Sequence, residues 1–182
     1  MESVLITLCV ILVAYFAYIY NKLTRQRNLV AEAWSGIEVQ LKRRSDLIPN
    51  LVELVKGYGK HERETFENVI SLRARSEAAN EPAEKEKIEK DVARGIKTVL
   101  ALVEDYPELK ADKNFRELQS TLTEVEDNIQ YARRYYNGTV RDMNILVQSF
   151  PSNLIARQFG FSEKPFFEIE YATERKTPDI DF

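Results

Sequence analysis

VLITLCVILVAYFAYIY occupies residues 4–20. The chain runs on through NKLTRQRNLVAE, residues 21–32, into AWSGIEVQLKRRSDLIPNLVELVKGY, residues 33–58. The first 17 of these residues carry no charge. At 1.5 Å rise per residue they make a helix of about 25 Å, long enough for a ~30 Å hydrocarbon core when Tyr15, Tyr18 and Tyr20 sit towards the interface. A cleaved secretory leader wants a positive start and a small-residue cleavage site. Met1-Glu2-Ser3 is not positive and no Ala-x-Ala directly follows the apolar run, so an uncleaved anchor is expected. No stop signal separates it from the amphipathic stretch behind it. Anchor and first bundle helix therefore read as one piece, a mount that holds a domain at the bilayer.

The sign of the flanks gives the anchor a direction. No Lys or Arg precedes it, whereas Lys22, Arg25 and Arg27 follow directly. The positive-inside rule puts residues 1–3 outside and residues 21–182 in the cytoplasm of a cell membrane. The same three cations are candidate membrane-surface contacts, each worth about 1 kcal/mol beside anionic headgroups.

Beyond the anchor the chain reads as helix. Six Gly and six Pro in 182 residues leave few breaks, and 44% apolar with 30% charged residues suits a soluble bundle that buries a core. Val30, Trp34, Ile37, Leu41, Ile48, Val52, Val55 and Tyr58 recur at steps of mostly three, four or seven, which is one buried stripe. Pro49 lies inside that stripe, where it removes a backbone donor and bends a helix. The stripe resumes at Phe66, Val69, Ile70 and Ala74. Residues 21–79 are thus one kinked helix or two helices broken near Gly57–Gly59.

Asn80 and Pro82 suit a helix start. The next helix carries Ile88, Val92, Ile96, Val99 and Val103, with Glu81/Lys85 and Glu86/Lys90 spaced as stabilising pairs, and Pro107 ends it. Phe115, Leu118, Leu122, Val125, Ile129, Ala132, Tyr136, Thr139, Met143, Leu146 and Phe150 then alternate steps of three and four, the pattern of a long, coiled-coil-like helix. Pro151 stops it, a short turn from Leu154 to Phe159 is closed by Gly160, and Phe166 and Phe167 are expected to dock in a tail that loosens from Thr173. The fold class is all-α: a transmembrane helix (4–20) continuous with an antiparallel bundle of three to four long helices (21–160), then a partly docked tail (161–182).

The chain resembles the LemA family of bacterial membrane proteins. The resemblance rests on AWSGIEVQLKRRSDLIPNLVELVKGY with His61-Glu62, on EDYPELKADKNFRELQ and YARRYYN, and on FPSNLIARQFGF with FFE near the end. It covers nearly the whole chain. It implies a single-pass anchor followed by an antiparallel helical bundle, and it implies little about biochemical role. Magnetosome proteins of the MamQ type are similar to this family, which points by analogy to membrane organisation.

Candidates for chemistry are thin. His61, with Glu62 and Glu64, falls short of the three protein ligands of a zinc site, and Tyr58 stands where a di-iron Glu-x-x-His needs a glutamate. Gly57-Tyr58-Gly59 lacks the remainder of a phosphate loop. Cys9, the single cysteine, lies within the apolar run, where a thiolate is disfavoured. Glu124, Glu126 and Asp127 have the spacing of a solvated face. No catalytic residue, metal or cofactor is expected, and a net charge of −3 argues against nucleic acid.

Lys42-Arg43-Arg44 is the sharper feature. The three point across roughly 200° of helix, so at most two share a face. Asp46 and Glu38 lie within reach of Lys42. Lys42, Arg43 and Arg44 are candidate partner contacts, and so is Tyr135, which lies off the stripe beside Arg133 and Arg134. Trp34 reads as a core anchor. The expectation is a non-enzymatic, membrane-anchored scaffold or adaptor for other envelope proteins, with self-association as one route. The alternative is an anionic-lipid-binding or membrane-shaping protein, and a metal-dependent enzyme ranks last. The partners expected are the bilayer, membrane or envelope proteins and a second copy.

Overall fold

The computed structural model describes residues 1–57, 62–79 and 81–167, and all regular structure among them is helical. The expectations for Tyr58, Gly59, His61, Asn80 and the tail from Thr173 fall outside these residues. In chain order the helices are α1 (Glu2–Lys56), α2 (Arg63–Ala78), α3 (Pro82–Leu102), α4 (Pro107–Ala111), α5 (Lys113–Gln148) and α6 (Ser152–Gln158). The chain packs as two units. One comprises Met1–Val39 with Gln130–Phe166. The other comprises Gln40–Ile129 and, of the described tail, Phe167.

Helix α1 runs unbroken from the apolar stretch into the bundle, as its lack of stop signals predicts, and the open choice over residues 21–79 resolves as two helices. Pro49 sits inside α1 on an exposed position. A proline has no N–H to give the carbonyl four residues back, here that of Ser45. Arg73 of α2 supplies the missing donor, its Nε reaching Ser45 O at 3.0 Å. The backbone defect of one helix is thus repaired by a side chain of the next.

In the second unit, residues 40–56 of α1 lie antiparallel to α2: Ser45 meets Glu77 and Arg73 across a connection centred near residue 60. Ile48, Leu51, Val55, Phe66, Val69, Ile88, Val99, Leu109, Phe115 and Leu122 fill the space between α1, α2, α3, α4 and α5. At Gly95 of α3 the helix α2 comes close, since a Cβ there would stand 2.9 Å from Val69 Cγ2. Two sequence expectations shift here. In α2 the stripe continues through Leu72 and Ser76, and Ile70 is exposed, because steps of three and four from Val69 lead to those positions. Pro107 does not end α3. That helix stops at Leu102, a 3-10 turn spans Val103–Asp105, and Pro107 opens α4 at a first-turn position where a missing N–H costs nothing. Asp112 then caps α5, accepting from Phe115 N at 2.9 Å.

In the first unit, Gln26 of α1 donates to Thr139 O of α5 at 2.9 Å, and Trp34 meets Tyr136 edge-to-face at 5.6 Å. Trp34 is half-buried there, whereas Tyr136 is buried, and its hydroxyl donates to Pro165 O at 3.2 Å. Asn144 clamps the backbone of Lys164 from both sides, donating to its carbonyl at 3.0 Å and accepting from its N–H at 2.8 Å. The α5 stripe keeps Tyr136, Thr139 and Met143 but substitutes Arg133 for Ala132. Phe150 drops out of it, because α5 ends at Gln148 and leaves that ring 79% exposed. Gly160 takes φ +71° and lets Phe161 N donate to Ala156 O at 2.9 Å, the six-to-one bond of a Schellman cap. Of the two tail phenylalanines, Phe167 is buried and Phe166 half exposed.

Candidate functional site

The feature of the second unit that local helix packing does not demand is a buried arginine. Helical geometry sends Lys42 and Arg43 outward and turns Arg44 inward, between Leu41 and Ile48 of the apolar stripe. Arg44 is 1% exposed. This corrects the expectation that it is a partner contact: its guanidinium is enclosed by the bundle. Nη2 donates to the Glu89 carboxylate and, at 3.2 Å, to the Glu89 carbonyl, while Nη1 donates to Glu126 Oε2 at 2.7 Å. The second Glu89 oxygen accepts from the Ser76 hydroxyl. One residue from each of α1, α2, α3 and α5 therefore joins a single charge-assisted network. Glu89 and Ser76 are themselves buried, and Glu126 reaches the surface.

Charge balance explains why the network is tolerated. An isolated guanidinium in an apolar core costs several kcal/mol, and two carboxylates around one arginine offset that cost through short, directed hydrogen bonds. Its chemical capability is positional. The carboxylates are committed to arginine, so they fix which turn of each helix faces which.

Beside Arg44, a cavity of about 230 Å³ opens between α3 and α5, walled by Ile96, Leu100 and Leu122 with Lys97 and Asp127 at its edge. No group of three or more metal-binding side chains occurs among the described residues.

The remaining sequence candidates lie outside this network. Lys42 is exposed and pairs with Asp46 at 2.8 Å and Glu77 at 3.3 Å. Those two carboxylates raise its pKa, Asp46 first. Glu77 is held below the ordinary carboxylate value by the Ser45 hydroxyl, which donates at 2.8 Å, with Lys42 and Arg73 adding to the effect. Arg43 is half exposed, 3.3 Å from Gln40 Oε1 and 3.8 Å from Glu124. In the first unit, Lys22, Arg25 and Arg27 are exposed on α1 just past the apolar segment, and Arg27 lies over the Phe161 ring at 5.2 Å. Tyr135 is exposed, as its place off the stripe predicts, whereas the arginine stacking falls to Tyr131, with Arg134 at 4.6 Å.

Sequence reasoning missed Glu89, Ser76 and the inward turn of Arg44. The signal was present as the one step of seven in the α1 stripe, from Leu41 to Ile48. A core position had to fall between them, and Arg44 and Ser45 are the residues that fill it.

A helix of membrane-spanning length and composition, continuous with a helical bundle whose core is keyed by ion pairs, defines an all-α, membrane-associated class of protein. The LemA family model matches residues 33–182, most of the chain, and the chain belongs to the LemA family. It is similar to Protein LemA of Metamycoplasma hominis, 28% identical over 174 residues that span 92% of this chain and 76% of the relative. It is also similar to Magnetosome protein MamQ 2 of Paramagnetospirillum magneticum, 25% identical over 187 residues, 88% of this chain and 68% of the relative.

Proposed function

We propose that the protein is a non-enzymatic scaffold, anchored in the cell membrane by residues 4–20, that presents its bundle to other membrane or envelope proteins from the cytoplasmic side. The observation that carries this reading is α1 itself, one helix that begins as a membrane-length apolar segment and ends as a wall of the bundle core. The contact surface we assign includes Tyr131 and Tyr135, four residues apart on one exposed face of α5, with Arg134 stacked on the first. Tyrosine and arginine are the residues that interfaces favour. Lys42 and Arg43 remain candidate contacts on the second unit. None of the relatives' names carries an activity, and one group of them is named for the magnetosome.

The test is a photo-crosslinking residue in place of Tyr135, irradiated in intact membranes and read by mass spectrometry. An adduct to one defined protein or to a second copy supports the scaffold. Adducts to lipid alone, with a monomeric protein, defeat it. The exposed Lys22 and Arg25 favour the lipid-binding alternative, which predicts that vesicle binding tracks anionic lipid content and weakens with salt. The cytoplasmic placement is checked by labelling Ser3→Cys and Lys87→Cys in intact cells with an impermeant maleimide: only the first reacts.

A further inference from the structure

We propose that the turn joining α5 to α6 is a second membrane-contact element, in which Phe150, Leu154 and Phe159 enter the interfacial layer of the leaflet that α1 leaves. The inference rests on the reading of residues 4–20 as a membrane anchor and goes beyond it.

Three observations within the first unit carry it. The first is depth. Phe159 packs edge-to-face on Phe16 at 5.7 Å and on Tyr20 at 5.0 Å, and Phe161 meets Tyr20 at 5.9 Å. Phe16 and Tyr20 stand six and two residues before Lys22, so the α6 end lies about 3–9 Å along the helix on the apolar side of the first cation. Interfacial apolar groups sink to a comparable depth, roughly 5–10 Å.

The second is register. Gln26 lies level with Thr139, and the helices are antiparallel. Eleven residues onward from Thr139 is Phe150, and eleven residues back from Gln26 is Tyr15, which places the turn beside the last turns of the anchor. The third is exposure. Phe150 is 79% and Leu154 62% exposed at that level, so the protein does not cover them. The surface that adjoins them is the apolar flank of the anchor, and what covers the anchor covers them. Past the turn the polarity reverses: Arg27, five residues beyond Lys22 on α1, caps the Phe161 ring. Apolar tips below and a cation above is the layering of an interface.

The experiment uses full-length protein in phosphatidylcholine–phosphatidylglycerol vesicles. An environment-sensitive NBD fluorophore is placed on Phe150→Cys or Leu154→Cys in a Cys9→Ser background. The same probe on native Cys9 reports the anchor. On Ser35→Cys, exposed on α1 thirteen residues and about 20 Å past Lys22, it gives the aqueous reference. Circular dichroism checks that helix content is unchanged. The expected result is blue-shifted emission at 150 and 154 and loss of most of their intensity to brominated lipid, as for Cys9, with neither change at 35. If 150 and 154 behave like 35 while Cys9 is quenched, the proposal is overturned and the anchor stands. If Cys9 itself reports water, the anchor reading fails and the proposal fails with it.

Discussion

At Arg44 the side chain has no surface to escape to, so its removal exposes the cost of the charge it matched. Arg44→Met leaves Glu89 buried without its cation and is expected to destabilise the protein by about 3–5 kcal/mol, read by chemical denaturation in detergent. Combining it with Glu89→Leu and Ser76→Ala restores most of that loss, because an apolar replacement of a whole buried network is often neutral. Glu77 behaves differently because it lies near the surface. Its folded pKa is depressed, so its contribution is fully present above the ordinary glutamate pKa and is lost as the pH falls through the folded value. Ser45→Ala removes the leading cause, and an NMR titration of the Glu77 carboxyl is expected to show its midpoint move up. An unmoved midpoint would assign the depression to Lys42 and Arg73 instead.

Between elements, the decisive contacts are a borrowed hydrogen bond and a close approach. Arg73→Met withdraws the donor from the Ser45 carbonyl and is expected to cost about 1–3 kcal/mol, the penalty of an unsatisfied buried acceptor. Pro49→Ala restores the native backbone donor and should recover much of it, so the two substitutions are non-additive. At Gly95 two effects oppose. Alanine gains about 1 kcal/mol of helix propensity but drives a methyl into Val69, and overpacking costs about 1–3 kcal/mol. Gly95→Ala is expected to destabilise alone and to stabilise in a Val69→Ala background, measured as thermal midpoints of the single and double variants.

For the molecule as a whole, the anchor dominates handling. Residues such as Val4 at 73% and Leu12 at 59% exposure form an apolar surface too large to stay in water. The protein is expected to stay in the membrane pellet through alkaline carbonate and to be released by detergent. Appearance in the carbonate supernatant would contradict the anchor. The membrane-length apolar start of α1 and the long helix α5 were legible in the sequence because they depend on run length and periodicity, which local composition records. The polar key was not. Glu89 and Glu126 lie 45 and 82 residues beyond Arg44, and each of the three looks like a solvated charge beside its sequence neighbours. Phe150 was misplaced for the opposite reason: its spacing continues the α5 stripe perfectly, but the helix stops two residues short.

The Arg44 network also imposes an order on synthesis. The guanidinium is made with α1, whereas Glu89 and Glu126 are made later. Until both exist, the inner face of α1 carries an unmatched cation that cannot be sealed against lipid, another copy of α1 or the partial chain without the full desolvation penalty. The arginine thus acts as a lock on premature burial, released only by the complete set of helices. A ribosome-held chain ending before Glu126 is expected to remain open to protease, and the same chain with Arg44→Met to close early.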